Sequence, residues 1–476
     1  MDPLFTDSLP TRRRFLRDAG GTMLGLTAAL SLGGCEIIAE AIRNRPTRPR
    51  LRVGSATLAP QLATYKAGVA AMKALPASDP RSWAAQAAIH GTVAGGFNLC
   101  QHGTPHFLSW HRAYLFYFEQ IIRRLTGESR FALPYWNWNR DNDLHPDFSD
   151  TTGPLFHPRN RTSLAGFPEV MDDTLDPIFE DGNFFTFSST FEGPHGDVHV
   201  HIGRDMGGGG SAGDPVFWMH HCFIDYGWAK WNLELGFDNP NDPGWTDTTW
   251  THFVQGDGSA ATISAGVTTL MPLISYQYET SAIGTPPMGL TARMAEDYAQ
   301  LRKRVEAGAA VQLDVRERLV LAERALTPLA RPWASPPLAR AAQISGLLTE
   351  RDPASNAFLR ITYASFPAAN DFFVRVFVNL PSADARTPVS DPHYAGSLSF
   401  FGTPGGHHEQ MHPSEHLVNV TPVLRRLMAR GELREGGDIA VQLVAVPAGE
   451  AFQKPDLVLE LQRIELLVTP VIVKKR

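Results

Sequence analysis

The chain is poor in cysteine and has no excess of basic residues, and each deficit excludes a class of protein. Only three of the 476 residues are cysteine, so the fold does not depend on a disulfide framework. The formal net charge of −6 argues against a nucleic-acid-binding protein, which needs a basic surface. The length predicts two or three domains, each large enough to bury its own core.

An apolar stretch near the N-terminus is too short for a comfortable membrane span. Residues 19–34 are uncharged, whereas a transmembrane helix needs about 20 apolar residues. Arg12, Arg13 and Arg14 precede this stretch. We therefore interpret residues 1–35 as a bacterial twin-arginine export signal, with a permanent transmembrane anchor as the alternative.

The end of this leader resembles a lipoprotein processing site. Leu32-Gly33-Gly34-Cys35 predicts cleavage before Cys35 and lipidation of that cysteine, with ordinary cleavage nearby as the alternative. Residues 36–50 are interpreted as a tether outside the fold. We expect an exported protein, periplasmic or at the cell surface, that is delivered by the twin-arginine machinery. It would contact a membrane only through a lipid at Cys35.

Three further regions follow from the spacing of apolar residues. Residues 51–285 are predicted to form a mainly α-helical domain with long loops, and residues 138–190 are predicted to be mainly loop. Residues 286–345 are interpreted as a helix followed by a proline-rich linker. From 346 to 476 apolar residues alternate with period two, as at 373–378, which predicts a C-terminal β-sandwich or barrel.

Histidine is the residue type that stands out by its clustering. Eleven of the 17 histidines lie between His90 and His221. His195 and His199 are four residues apart, so on a helix they share one face and can bind a single metal ion; a lone pair of this kind can also be structural. His201 would point about 200° away from His199 and is a poor candidate for the same ion.

A second histidine pair lies in a helix that Asp214 is predicted to cap. Adjacent His220 and His221 point about 100° apart, so at most one faces a given metal. The spacing alone does not choose between them. His221 has Phe217 four residues before it and Asp225 four residues after it. These would supply an apolar wall and a carboxylate that orients a metal-bound imidazole.

A third group lies upstream and consists of His90, His102 and His111. With one of the two adjacent histidines, the set makes two triads of neutral imidazoles without a cysteine or carboxylate ligand. Structural zinc sites are usually rich in cysteine and mononuclear iron usually takes a carboxylate, so an all-imidazole donor set favours copper. Two copper ions side by side could reduce O2 by two electrons.

Two motifs in these segments resemble those of the tyrosinase, catechol oxidase and haemocyanin family. The stretch from His102 ends in His-Arg-x-x-Leu-x-x-x-Glu at Glu119, and Asp214 begins the pattern Asp-Pro-x-Phe-x-x-x-His-x-x-x-Asp. The resemblance implies a type-3 (dinuclear) copper centre and selects His221 over His220. The implied ligands are, for copper A, His90, His102 and His111 and, for copper B, His195, His199 and His221.

The same resemblance implies roles for residues around the ligands. Cys100 matches the cysteine that fungal tyrosinases and molluscan haemocyanins join to a histidine, here His102, through a thioether; a free buried thiol is the alternative. Gly196 stands where tyrosinases often have an Asn that holds a water with a nearby Glu, and Glu192 is the candidate carboxylate. Val200 is expected as a small apolar side chain at the pocket mouth.

The implied activity is that of a polyphenol oxidase with two copper ions per chain. It would oxidise o-diphenols to o-quinones while O2 is reduced to water, and the missing Asn at Gly196 favours this reaction over monophenol hydroxylation. Reversible O2 binding as in haemocyanin and o-aminophenol oxidation are the alternatives. The expected partners are O2 and small phenols, with a copper chaperone as a further candidate.

Two resemblances concern the later part of the chain. Tyr276-Gln277-Tyr278 resembles the Tyr-x-Tyr motif that ends the catalytic domain in plant and fungal enzymes. The predicted strands around 374–380 resemble the β-domain of plant polyphenol oxidases, which covers the copper site and keeps the enzyme latent. By analogy, residues 346–476 are a candidate cover, with the loop from Gly402 to His416 above the site.

Overall fold

The computed structural model describes a helical part followed by strands. The described residues are 49–167, 172–240, 242–279, 317–323, 326–328, 333–334, 355–364, 372–400, 415–434, 439–447 and 458–470. The predicted export signal with Cys35, nearly all of the predicted tether, the predicted helix after residue 286 and most of the loop from Gly402 to His416 lie outside the described residues. None of the described helices is long and apolar enough to cross a membrane.

The helical part, from Pro49 to Glu279, is built around one apolar core. Its helices are α1 (Ala59–Ala74), α2 (Trp83–His90), α3 (Phe107–Thr126), α4 (Asp172–Phe179), α5 (Phe184–Ile202), α6 (Pro215–Ala229), α7 (Pro243–Thr246), α8 (Ala265–Thr268) and α9 (Met271–Ile274). Two antiparallel hairpins join them, formed by strands β1 (Gly91–Thr92) and β2 (Gly96–Phe97), and β3 (Thr249–Val254) and β4 (Ala260–Ser264). The predicted mainly helical domain is confirmed.

Capping residues set the start of two of the helices that carry histidines. The Ser82 side chain accepts a hydrogen bond from the Ala85 N–H and begins α2. The Asp214 side chain accepts from the Val216 N–H at 2.9 Å and begins α6. Both caps satisfy backbone donors that the first turn leaves unpaired. The start of α6 therefore agrees with the sequence-based prediction.

The prediction that residues 138–190 are mainly loop is wrong at its end, because α4 and the first turns of α5 lie there. The Asn183 side chain caps α5 by accepting hydrogen bonds from two backbone N–H groups. The first turns of α5 are rich in phenylalanine, which has only moderate helix propensity. Tertiary packing decides this segment: the Phe187 ring stacks on Trp231 with centroids 4.8 Å apart.

A buried ion-pair cluster ties the start of the helical part to its end. The guanidinium of Arg50 donates hydrogen bonds of 2.8 Å to both Glu119 and Asp225. Two tyrosine hydroxyls donate to the same Asp225 oxygen at 2.5 Å each, those of Tyr276 and Tyr278. The prediction that residues 36–50 lie wholly outside the fold is therefore wrong at Arg50. A buried guanidinium is tolerated only with such partners.

The described elements of the later part of the chain are β5 (Glu317–Glu323), β6 (Leu326–Pro328), β7 (Trp333–Ala334), β8 (Ser355–Tyr363), β9 (Phe372–Val378), β10 (Tyr394–Ser399), β11 (Glu415–Asn419), helix α10 (Thr421–Ala429), β12 (Val441–Pro447) and β13 (Val458–Pro470). The strands form two antiparallel sheets, with strand orders β10-β9-β12-β7 and β11-β8-β13-β5, and β6 also pairs with β13. Side chains from both sheets share one core, as a layered β fold requires.

Part of the segment predicted as a linker, residues 286–345, belongs to these sheets. Strand β5 pairs with β13, and β7 pairs with β12. The boundary predicted at residue 346 is therefore too late. The sequence interpretation took the prolines as a linker signal, but proline is compatible with the end of an edge strand, as at Pro328 in β6.

The β part packs against α5. The Ser399 hydroxyl in β10 donates a hydrogen bond of 3.3 Å to the backbone carbonyl of Gly193. Phe373 in β9 and Val446 in β12 form a small apolar cluster with Val200. Because α5 also carries His195 and His199, the β part lies directly beside the predicted metal site.

Candidate metal centre

The fold brings all six predicted ligands together in the interior, none of them more than 3% exposed. They come from distant parts of the chain and from elements that belong to one core. Their places are the end of α2 (His90), the loop before α3 (His102), α3 (His111), α5 (His195 and His199) and α6 (His221).

The three upstream histidines face one another. The Nε2 atoms of His90 and His102 are 3.1 Å apart. The ring centroid of His111 lies 4.9 Å from that of His102 and 5.9 Å from that of His90. Its Nε2 is buried and has no hydrogen-bond partner among the described residues. The hairpin β1–β2 reverses the chain between His90 and His102 and so brings the two side chains together.

The three downstream histidines also converge. The Nε2 atom of His221 lies 3.3 Å from the Nε2 atoms of both His195 and His199. A neutral imidazole has one N–H and one lone pair, so three converging nitrogens cannot all satisfy one another. One cation that accepts all three lone pairs does satisfy them, and the arrangement fits a metal ion.

The two triads are adjacent. The rings of His111 and His221 stack with centroids 4.2 Å apart and planes 13° from parallel. The rings of His102 and His195 lie 5.3 Å apart. Two metal ions held by these triads would therefore share one pocket.

The other ring nitrogens of several ligands are held by backbone carbonyls. The Nδ1–H of His111 donates to the carbonyl of Phe107, and that of His199 donates to the carbonyl of Met206, both at 2.8 Å. Such bonds place the proton on Nδ1 and leave Nε2 as the metal-binding atom. Phe107 lies one helical turn before His111 on α3. Met206 lies in the segment that follows α5, and its contact with His199 was not predicted.

A glycine-rich segment supports His90. The backbone carbonyl of Gly209 lies 3.4 Å from Nδ1 of His90. A Cβ at Gly209 would stand 2.2 Å from the backbone of Gly96, so only glycine permits this close approach. This support of His90 was not predicted, although the run of glycines at 207–210 is visible in the sequence.

Glu192 holds the loop ligand His102. One carboxylate oxygen accepts a hydrogen bond of 2.8 Å from the Gly103 N–H and lies 3.1 Å from Nδ1 of His102. Donation from Nδ1–H makes Nε2 of His102 the metal-binding atom. Burial raises the pKa of Glu192 to about 8, against the opposing effect of the Gly103 N–H. Glu192 thus lies at the site, as the resemblance implied.

Burial keeps five of the six ligands neutral. Burial, together with the neighbouring imidazoles, lowers the pKa of five of them well below the ordinary value, those of His90, His111, His195, His199 and His221. A neutral imidazole offers the lone pair that a metal requires. The donor set therefore suits a metal ion near neutral pH without competition from protons.

Two phenylalanines flank both triads. The Phe217 ring lies 4.2 Å from His221 and 4.8 Å from His90, which agrees with its predicted role as an apolar wall. The Phe107 ring lies 4.8 Å from His195 and 5.0 Å from His111, and the sequence analysis did not single it out. Together they exclude water from much of the space around the histidines.

Cys100 lies next to the upstream triad. Its Sγ is within 4.8 Å of a ring nitrogen of both His90 and His102. The thiol is buried and not in a disulfide, and burial raises its pKa well above the ordinary value. The residue is therefore placed close to the histidine to which the resemblance would join it.

The predicted role of Asp225 is wrong. Its carboxylate accepts hydrogen bonds from Arg50 and Arg112, and it does not bond His221, whose Nδ1 has no partner among the described residues. Burial alone would raise the pKa of Asp225, but the two guanidinium groups and two tyrosine hydroxyls hold it below the ordinary value. Two guanidinium groups from other elements bind the carboxylate, and helix spacing alone did not reveal them.

Asp225 should instead be a stability residue. We expect Asp225→Asn to lower the free energy of unfolding by about 3–5 kcal/mol, because it leaves two buried guanidinium groups with one carboxylate fewer. Urea unfolding of the copper-free protein measures the loss. Asp205→Asn is the matched control, since its ion pair with His157 is partly exposed and should cost at most about 1 kcal/mol. Equal losses in the two variants would contradict this assignment.

The predicted place of Val200 at an open pocket mouth is also wrong in this structure. Val200 is 4% exposed because Phe373 and Val446 of the β part cover it. Its neighbour His201, set aside as a ligand, packs on Phe167 with ring centroids 3.7 Å apart. The covering residues come from strands more than 150 positions away in the sequence, so local patterns could not reveal them.

The space that leads to the histidines is small. A cavity of about 70 Å³ lies between α5 and the β part. Its walls include His102, Glu192, His195 and Gly196 on the helical side and Ser399, Glu415, His416 and Leu417 on the other. This volume is about half of the roughly 150 Å³ that accommodates a benzene ring in a protein. A cavity of this volume is too small for a phenol.

The chain matches a model of the common central domain of tyrosinase over residues 80–163 and 157–234, which together include all six histidines. It is 31% identical to a tyrosinase of Hahella sp. (strain CCB-MM4) over 46% of this chain and 60% of the relative. It is 29% identical to a chloroplastic polyphenol oxidase of Spinacia oleracea, over 48% and 46%. The chain thus spans about half the length of the curated relatives that it matches.

A solved structure of a latent aurone synthase (polyphenol oxidase) from natural source resembles this chain with a TM-score of 0.62. The likeness covers 90% of this chain and 91% of that one at 22% identity. At this identity the likeness shows the fold alone. It extends over both the helical part and the strands.

Proposed function

Because this chain belongs to the tyrosinase family, whose cofactor is a copper pair, we propose that it is a copper-dependent oxidoreductase. The proposed reaction is oxidation of o-diphenols to o-quinones, with O2 reduced to water. The observation that carries the proposal is the pair of adjacent, buried histidine groups. In one, the Nε2 atoms of His90 and His102 lie 3.1 Å apart, and in the other the Nε2 atom of His221 lies 3.3 Å from those of His195 and His199. Copper A would be held by His90, His102 and His111, and copper B by His195, His199 and His221.

The protein residues fit two copper ions on two grounds. The donor set is all imidazole, which suits copper better than structural zinc or mononuclear iron. The Nε2 atom of His111 is buried without a hydrogen-bond partner among the described residues, a costly state that a bound metal removes. When bound, the copper pair would bind O2 and pass to it the electrons taken from the substrate, two diphenols being oxidised for each O2 reduced to two waters.

The chain itself orients the ligands and keeps the site dry. Carbonyls of Phe107 and Met206 hold the rings of His111 and His199 through Nδ1. Phe107 and Phe217 exclude water on either side of the histidines, which strengthens electrostatic interactions within the site. We also propose that Cys100 is joined to His102 by a thioether, which would stiffen the one ligand that lies on a loop.

Glu192 and Gly196 favour diphenols over monophenols. Hydroxylation of a monophenol first needs a base that removes the phenolic proton. Glu192 is engaged by Gly103 and His102 through one oxygen, and Gly196 has no side chain to hold a water beside it. A diphenol does not need this water-assisted step to the same extent.

The β part is proposed to act as a cover. The cavity of about 70 Å³ beside the histidines is too small for a phenol, and β-part residues form one of its walls. The aurone synthase structure that resembles this chain is described as latent. Diphenols would therefore reach the copper pair only after the β part moves away from α5.

Export is proposed on the leader alone. The paired arginines before residues 19–34 and the sequence ending in Cys35 support delivery by the twin-arginine machinery to the periplasm or cell surface. That route carries folded proteins, so copper would be loaded before export, with or without a chaperone.

Copper content and oxidation of 4-methylcatechol test the proposed function. We expect two copper ions per chain, O2 consumption with 4-methylcatechol once the cover is released, and slower turnover of tyrosine. A protein that binds O2 reversibly and never oxidises 4-methylcatechol would be a carrier instead. Faster turnover of an o-aminophenol than of the catechol would identify the other alternative.

A further inference from the structure

A buried tryptophan controls the histidine that stands next to the copper B ligands. The indole N–H of Trp138 donates a hydrogen bond of 3.0 Å to Nδ1 of His220. Both side chains are completely buried. A neutral imidazole that accepts at Nδ1 carries its proton on Nε2. The Trp138 bond therefore selects the Nε2–H form of His220.

His220 is close enough to compete for the metal. One of its ring nitrogens lies within 4.8 Å of ring nitrogens of His195, His199 and His221. Its ring stacks on that of His195 with centroids 5.1 Å apart and planes 19° from parallel. A small rotation of the side chain would bring a fourth imidazole to the same ion.

The selected form of His220 cannot bind metal. Its Nδ1 lone pair is taken by Trp138, and its Nε2 carries a proton that lies near the backbone carbonyl of His195. A site with four protein ligands is closed, whereas a catalytic metal keeps a position open for a reactant. The number of imidazoles on copper B therefore decides whether that ion can react.

We propose that the Trp138–His220 hydrogen bond keeps copper B open by disqualifying His220 as a fourth ligand. Trp138 acts as a positioning residue, through His220, without touching a reactant. The inference rests on the proposed copper site. It explains why a neighbouring histidine that faces the triad is compatible with an open metal position.

The first test uses the copper-free protein. Long-range ¹⁵N–¹H correlation spectra of protein labelled at histidine should assign His220 as Nε2–H. In Trp138→Phe, which keeps an aromatic ring but removes the N–H, the Nδ1–H form should appear. A wild-type His220 in the Nδ1–H form would overturn the proposal, and this result does not depend on copper binding.

The second test measures copper retention and includes a rescue. Trp138→Phe should release one of its two copper ions to a Cu(I) chelator at least about tenfold more slowly than the wild type, a change typical of altered metal surroundings. It should also oxidise 4-methylcatechol more slowly. Trp138→Phe combined with His220→Phe should lose the extra retention, because the fourth imidazole is gone. Equal release rates in the single and double variants would overturn the proposal.

Trp231→Phe is the matched control. Trp231 is equally buried, but its indole N–H donates to the backbone carbonyl of Asp181 at 2.7 Å, and its ring packs on phenylalanines rather than on a histidine ligand. We expect copper release from this variant to match that of the wild type. The slower release that we expect for Trp138→Phe should be absent from this variant.

A wild-type protein with fewer than two copper ions would refute the proposed function, while the tautomer measurement would still decide the role of Trp138.

Discussion

His199→Ala should leave one copper ion per chain and reduce 4-methylcatechol oxidation by about a thousandfold, the several kcal/mol that metal catalysis contributes. His199 shares α5 with His195, and its Nε2 lies 3.3 Å from that of His221. Without this ligand copper B is held by two imidazoles only. Because two electrons are needed and each copper supplies one, the remaining ion cannot complete the reaction. Metal analysis and O2 consumption measure the two effects.

His201→Ala is the matched control for this prediction. His201 lies on the same helix and is also buried, but it packs on Phe167 and Phe373 rather than on the triads. This variant should keep two copper ions. Urea unfolding of both variants tests whether they are folded to the same extent. Two tightly held copper ions and an undiminished rate in His199→Ala would contradict the ligand assignment.

Phe373→Ala should increase the rate of 4-methylcatechol oxidation by at least about tenfold. Removing a buried phenyl ring lowers folding stability by about 3–5 kcal/mol. If only about 1.4 kcal/mol of this loss destabilises the covered state relative to the uncovered one, the uncovered fraction rises tenfold. Phe373 is 1% exposed and packs on Val200 of α5. The variant therefore weakens the contact that covers the site without altering a ligand. Initial rates at saturating O2 and equal copper content measure the effect.

Phe377→Ala separates release of the cover from damage to the β part. Phe377 lies on the same strand and is equally buried, but its apolar neighbours are Ala383, Tyr394 and Val444 within the β part. This variant should lower stability without a comparable gain in rate. A Phe373→Ala protein no faster than the wild type would mean that the β part does not limit access.

Local sequence patterns predicted the ligand pairs well. His195 and His199 lie one turn apart on α5, and Asp214 caps the helix that carries His221. Helix spacing and capping depend on neighbouring residues, so these features can be derived without a tertiary structure. The strand at 373–378 was predicted for the same reason, from alternation along the chain.

Helix spacing also misled. Asp225 is correctly placed one turn after His221, yet Arg50 and Arg112 take its carboxylate. A buried carboxylate bonds whichever cations the fold brings to it, and these come from positions far apart in the sequence. Spacing identifies which residues share a face of a helix, but not what the rest of the protein presents to that face.

The sequence by itself determined the donor chemistry: clustered histidines without a cysteine or carboxylate ligand, one pair of them a helical turn apart. Only the tertiary structure decided which ring nitrogens are hydrogen-bonded within the protein and how much space lies beside the histidines. The Glu192–His102 and Trp138–His220 contacts join residues 90 and 82 positions apart, and the cover on Val200 comes from another part of the chain. Hydrogen bonds and access depend on distances in space, whereas a pattern along the sequence records only distances along the chain.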